Sequence, residues 1–219
     1  MKRSVLSFAV LIAAIWSMVS AQQMDASAYK VLKPLTTILV ILIALFSFNQ
    51  ENKTYNKYLT VALLFCLAGD IFLLNNQYFL FGLASFLLGH LVFIYAFSTI
   101  SGFSRNIVPL IILLILCIPY FLYLKPGLGD LTTPVAVYMS VIIIMTWQAI
   151  SLYFKEKQRA HLFIALGAVL FMLSDSLLAF NKFKATFAMA DFAILSTYWL
   201  AIYTFAYSSY FVKNKVISG

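Results

Sequence analysis

Residues 160–180 read AHLFIALGAVLFMLSDSLLAF. At 1.5 Å of rise per residue this run makes a helix about 30 Å long, the thickness of a bilayer's hydrocarbon core. A single charged residue, Asp175, interrupts it. A charge at that depth is costly in lipid, so it faces the interior of a bundle and calls for a role.

Seven further apolar runs stand at 4–21, 31–48, 57–74, 78–98, 105–124, 134–154 and 186–211. The chain is 63% hydrophobic and 10% charged, with a mean hydropathy of +0.97. Soluble domains carry about 25% charged residues, and a soluble core this apolar would leave too little polar surface to face water. The 17% aromatic content fits Tyr and Trp at membrane interfaces. The expected fold is an all-α membrane protein, a bundle of about eight transmembrane helices in one integral domain spanning 1–219. Lys2 and Arg3 before the first run, and Val19-Ser20-Ala21 at its end, also describe a cleavable signal peptide. A retained first transmembrane helix over 1–21 is the favoured reading. Pro109 and Pro119 are placed to kink the fifth helix, and Lys125-Pro126-Gly127-Leu128-Gly129-Asp130 marks the clearest turn.

The net charge of +8 comes from basic residues in short loops, where they set orientation and touch anionic headgroups. No basic face large enough for nucleic acid can form. With eight spans, one side holds Lys2, Arg3, Lys53, Lys57, Arg105, Lys155, Lys157, Arg159, Lys213 and Lys215. The other holds Lys30, Lys33, Lys125, Lys182 and Lys184. The first side is expected to be cytoplasmic, with both termini, in the inner membrane of a bacterium. Cys66 and Cys117 read as small buried hydrophobes.

Four of the seven acids, Asp25, Glu51, Asp130 and Glu156, fall in loops. The other three, Asp70, Asp175 and Asp191, fall inside spans, each within roughly 8 Å of the same face by helical rise. Lys33, Thr36 and Thr37 open the second helix on that face, so one polar pocket could gather them all. Gly69-Asp70 with Leu73, and Ser174-Asp175 with Leu178, form a faint echo four helices apart, compatible with a parallel duplication. His90 is expected deeper than the acids, donating to a carbonyl or serving the site. His161 is expected at a headgroup. Two histidines at different depths do not make a zinc site, and no Gly-x-Ser-x-Gly elbow or Gly-rich phosphate loop occurs.

Several segments then resemble one family in order along the chain. They are Tyr29-Lys30-Val31-Leu32-Lys33-Pro34-Leu35-Thr36-Thr37, Ala68-Gly69-Asp70, Phe86-Leu87-Leu88-Gly89-His90, Gly167 through Ser176, and Thr197-Tyr198-Trp199. The set is similar to the YhhN-like lysoplasmalogenases. Phe93 and Ile202 stand where that family often carries Tyr and Gln. The resemblance implies about eight helices and cleavage of the vinyl ether bond of a lysoplasmalogen, releasing a fatty aldehyde and a glycerophospho-choline or -ethanolamine. It implies that Lys33, Asp70 and Asp175 hold the family's polar positions and that His90 matches its histidine.

Paired carboxyls suit that chemistry. Protonating the β-carbon of a vinyl ether gives an oxocarbenium ion, which water attacks; glycosidases meet a similar cation with two carboxylates. Asp70 and Asp175 are the candidate catalytic pair, with the roles of acid and base interchangeable. The candidate substrate contacts are Lys33, Thr36, Thr37, His90, Ser174, Asp191 and Tyr198. No cofactor and no metal are called for. A lipid or proton-coupled transporter is the alternative, since buried acids also relay protons. A scaffold whose acids only fix helix packing is a third reading.

Overall fold

The computed structural model describes residues 2–23, 25–48 and 53–212, with Lys2 and Ala26 described in the backbone only. Glu51, Lys213 and Lys215, assigned above to loops and the C-terminal tail, lie outside the described residues. Eight α-helices follow one another: α1 (Lys2–Gln22), α2 (Ala26–Phe46), α3 (Lys53–Phe72), α4 (Phe79–Ser101), α5 (Ile107–Leu124), α6 (Thr132–Glu156), α7 (Arg159–Phe183) and α8 (Ala190–Ser208). No strand occurs among the described residues.

Local chemistry sets the helix ends. Asp25 caps α2 by accepting from the Ala28 amide at 3.1 Å. That cap starts α2 five residues before the apolar run at 31–48, which carries Lys30 into the helix and places Lys33 in its second turn. Asn106 caps α5 through the Val108 amide at 3.2 Å. The expected turn after α5 is a pair of 3₁₀ turns, Lys125–Gly127 and Gly129–Leu131. Gly127 is needed there, because a Cβ at this position would lie 1.9 Å from the Phe183 carbonyl oxygen. Met189 takes a left-handed backbone (φ 59) and delays α8 to Ala190, short of the expected start at 186.

Six helices, α1, α2, α4, α5, α6 and α7, are long and apolar enough to cross a membrane by length and composition. The other two, α3 and α8, pack within the bundle: α3 lies against α2 and α4, and α8 against α1, α2 and α7. α8 buries 11 of its 19 residues, whereas α5 buries three of 18. A helix shielded by protein can carry Ser, Thr, Tyr and Asp that lipid would reject, because its neighbours satisfy them. α5 shows the opposite face of that rule, with Ile107, Val108, Ile112, Ile115 and Leu116 all exposed. The chain is therefore an all-α, multi-pass membrane protein.

The packing repeats after four helices. α1 lies on α2, α2 on α3 and α3 on α4, just as α5 lies on α6, α6 on α7 and α7 on α8. The two quartets then embrace reciprocally, α8 against α2 and α4 against α6. The sequence echo around Asp70 and Asp175 falls on α3 and α7, which are equivalent helices in this scheme.

Candidate active site

Asp70 sits two residues before the end of α3 and is 1% exposed. Its Oδ2 accepts from the Thr37 hydroxyl at 2.6 Å and from the Tyr198 hydroxyl at 2.8 Å. Its Oδ1 lies 3.9 Å from the Lys33 ammonium. Lys33 and Thr37 are four residues apart on α2, so they share a helix face and reach the same carboxylate. Close approach of α3 and α4 holds this arrangement. A Cβ on Gly69 would fall 2.6 Å from the Phe86 ring, and that ring meets the Tyr198 ring edge-on at 5.7 Å.

Asp175 lies on α7. Its Oδ2 accepts from the Tyr138 hydroxyl of α6 at 2.6 Å. His90 Nε2, from α4, stands 3.8 Å from the same oxygen, beyond hydrogen-bond length. Neither ring nitrogen of His90 has a hydrogen-bond partner among the described residues, so the expected carbonyl bond is absent. The ring is packed edge-on to Phe171 at 4.6 Å and to Tyr138 at 5.2 Å. Next door, the Ser174 hydroxyl donates to the Ile194 carbonyl at 2.8 Å and ties α7 to α8.

One cavity of about 440 Å³ is bordered by Lys33, Asp70, Ser174, Asp175, Asp191 and Tyr198, together with Tyr29, Asn76, Asn181 and Lys182. Thr37 reaches it only through Asp70. Thr36 does not border it, and its hydroxyl returns to the Leu32 carbonyl at 2.8 Å in its own helix. His90 stands behind Asp175 and is not part of the cavity wall. Asp191 is exposed at the second position of α8, where a carboxylate is favoured by the helix dipole. A larger space of about 920 Å³ between α1 and α8 is bordered by Arg3 but by no carboxylate, so it lacks paired acids.

Three positions differ from the sequence reading. Lys33 was expected at the opening of the second helix; it is buried, 6% exposed, and forms part of the cavity wall. The longer α2 explains this, since it takes Lys33 into its second turn. His90 was expected deeper than the acids, and by helical rise it is, but by less than the apolar boundaries imply. α7 runs on to Phe183, which puts Asp175 about 12 Å from the helix end, and His90 is about 16 Å from the start of α4. The remaining offset is within the reach of two side chains. His161 was expected at a headgroup, yet it is 1% exposed. The tight α6–α7 turn, with Lys157 left-handed at φ 47, starts α7 at Arg159 and turns His161 inward.

Tyr138, Asn76, Asn181 and Lys182 were not singled out from sequence. Asn181 and Lys182 do follow the acid-bearing run directly, a polar pair in the last turn of α7. Tyr138 gave no signal in an aromatic-rich chain. Among the described residues, no group of three His, Cys, Asp or Glu could hold a metal ion.

The fold and this cavity define a multi-pass helical membrane protein with two acid-bearing helices facing one polar chamber. The YhhN family model matches residues 28–209, and the chain belongs to that family. It is similar to human lysoplasmalogenase TMEM86B, 33% identical over 149 residues, covering 67% of this chain and 61% of that protein. It is 32% identical over 147 residues to bovine lysoplasmalogenase TMEM86A, covering 64% and 60%. A lysoplasmalogenase homolog of Dictyostelium discoideum is 27% identical over 154 residues, covering 59% and 51%. The chain thus spans about half to three-fifths of the length of these relatives. No solved structure matches it.

Proposed function

We propose that the protein is a lysoplasmalogen hydrolase that uses the two aspartates to cleave a vinyl ether. The observation that carries this reading is that Asp70 and Asp175 border one cavity inside an apolar bundle, in a family whose relatives bear the name lysoplasmalogenase.

The two carboxyls are not alike. Asp70 is surrounded by donors, one of them an ammonium, and suits a fixed carboxylate that faces a developing cation. Asp175 accepts one phenol hydroxyl and is the group left to move a proton. In the proposed reaction, Asp175 gives its proton to the β-carbon of the alkenyl ether. The positive charge that forms on the α-carbon and ether oxygen is stabilised by Asp70. Water then bonds to the α-carbon and returns one proton to Asp175. The resulting hemiacetal collapses: its hydroxyl loses a proton, the carbon–oxygen bond to glycerol breaks, and the glycerol oxygen takes up a proton. One water is consumed, and a fatty aldehyde and a glycerophospho-alcohol leave.

Lys33 and Lys182 border the same cavity and suit the lipid phosphate as point charges. Charge bias in the loops supports a cytoplasmic location for both termini. The repeated quartets favour one competing reading, a proton-coupled lipid transporter, because transporter sites lie between such repeats. Purified protein in detergent, given a defined lysoplasmalogen, is expected to release aldehyde, with a saturated lyso-ether as the unreactive control. Transport yields no new product, so intact substrate after prolonged incubation would overturn the hydrolase reading.

A further inference from the structure

Asp175 stands where two chambers meet. The polar cavity lies on one side. On the other is an apolar chamber of about 70 Å³ lined mainly by α4, α5, α6 and α7. The two share Leu73, Phe79, Phe86, Asp175 and Leu178 as common walls.

The few polar groups of the apolar chamber are already engaged. Tyr138 donates to Asp175 at 2.6 Å, Tyr120 donates to the Ser176 carbonyl at 2.5 Å, and the Ser176 hydroxyl donates to the Met172 carbonyl at 2.8 Å. What remains is hydrocarbon and sulfur, with Met139, Ile142, Met172 and Cys117 on the walls. Methionine walls adapt to a flexible chain. Cys117 Sγ on α5 touches Met172 Sδ on α7 at 4.0 Å.

We infer that this chamber receives the first carbons of the substrate's alkenyl chain, and that the Cys117–Met172 contact is the exit past which a long chain must run to lipid. The inference rests on the hydrolase reading and goes on to orient the substrate. A lysophospholipid has a charged half and a hydrocarbon half joined at the reacting ether. Each half has a matching chamber, and Asp175 sits at the join. The chamber is small, about half of the ~150 Å³ that admits benzene in an engineered apolar cavity, so it holds only the start of a chain. Cys117 belongs to α5, the least buried of the spanning helices and only lightly packed on α7. That is the direction in which the rest of the chain finds lipid.

The test uses the full-length protein with two alkenyl substrates of identical headgroup, octenyl and hexadecenyl. Cys117→Trp is expected to lower kcat/KM for the long substrate by about tenfold or more relative to the short one, with an unchanged melting temperature. Met172→Phe is the second variant should the Trp substitution unfold the protein. A separate arm needs no turnover: a saturated hexadecyl lyso-ether should slow alkylation of Cys117 in the wild-type protein by a lipophilic maleimide, followed by mass spectrometry. Cys66, fully buried, serves as the internal control. Equal losses on both chain lengths, or a Cys117 labelling rate indifferent to the ether, would overturn the exit. Absence of aldehyde from the wild type with either substrate defeats the hydrolase reading instead, and the labelling arm then decides the subsite alone.

Discussion

Asp70 and Asp175 occupy equivalent helices of the two quartets, and each draws partners from the equivalent places. Asp70 on α3 is met by α2 and α8; Asp175 on α7 is met by α6 and α4. The residues supplied differ in kind. Around Asp70 stand an ammonium and two hydroxyls, and the side chain is 1% exposed. Around Asp175 stand one phenol and an imidazole out of hydrogen-bond reach, and the side chain is 18% exposed. The same scaffold position thus produces a clamped charge on one side and a reachable acid on the other. A repeated architecture becomes useful for acid–base chemistry once its two copies diverge in the residues beside the acid.

Five variants break or sharpen that contrast. The largest effect is expected from Asp175→Asn, which should lower aldehyde release by about 10³-fold or more while costing less than about 1 kcal/mol of stability. A turnover assay paired with a melting curve checks both parts. Asp70→Asn should also remove activity, but it leaves Lys33 buried without its anion and should cost about 3 kcal/mol or more. If both variants melt alike, the two environments are not the distinct things described above. Combining Lys33→Met with Asp70→Leu removes both charges at once and should recover most of that stability without recovering turnover. Gly69→Ala should destabilise by about 1–3 kcal/mol, because the added carbon meets the Phe86 ring. The smallest effect belongs to Tyr138→Phe, at about tenfold in turnover and about 1 kcal/mol in stability. Failure of Tyr138→Phe to touch turnover would show that Asp175 needs no phenol partner.

The apolar runs were long and well separated, so the number and order of helices could be read from sequence. The buried acids were also legible, because an Asp inside an apolar run has few explanations. Other features were not. That α2 begins at Ala26 and takes in Lys30 turned on the Asp25 cap, a single side-chain hydrogen bond. The depth of His90 turned on where α7 ends, since counting from an apolar boundary missed the polar last turn with Asn181 and Lys182. Tyr138 illustrates the harder case. One phenol in a chain of 13 tyrosines becomes distinguishable only when α6 is laid against α7. The roles of α3 and α8 as shielded helices were likewise hidden, because hydropathy reports composition and not which neighbours surround a helix.

The burial of α8 bears on how the protein is made. Tyr198 is translated more than a hundred residues after Asp70, so α2 and α3 enter the bilayer before that hydroxyl exists. During this interval Lys33 and Thr37 are the partners available to Asp70, and they lie on the helix inserted just before it. Neighbouring synthesis of anion and cation lets two residues that lipid would each refuse cross the insertion machinery as a neutral pair. Ile194, Leu195 and Tyr198 of α8 form part of the cavity wall, so a chain released before residue 190 carries Asp70 and Asp175 without that wall.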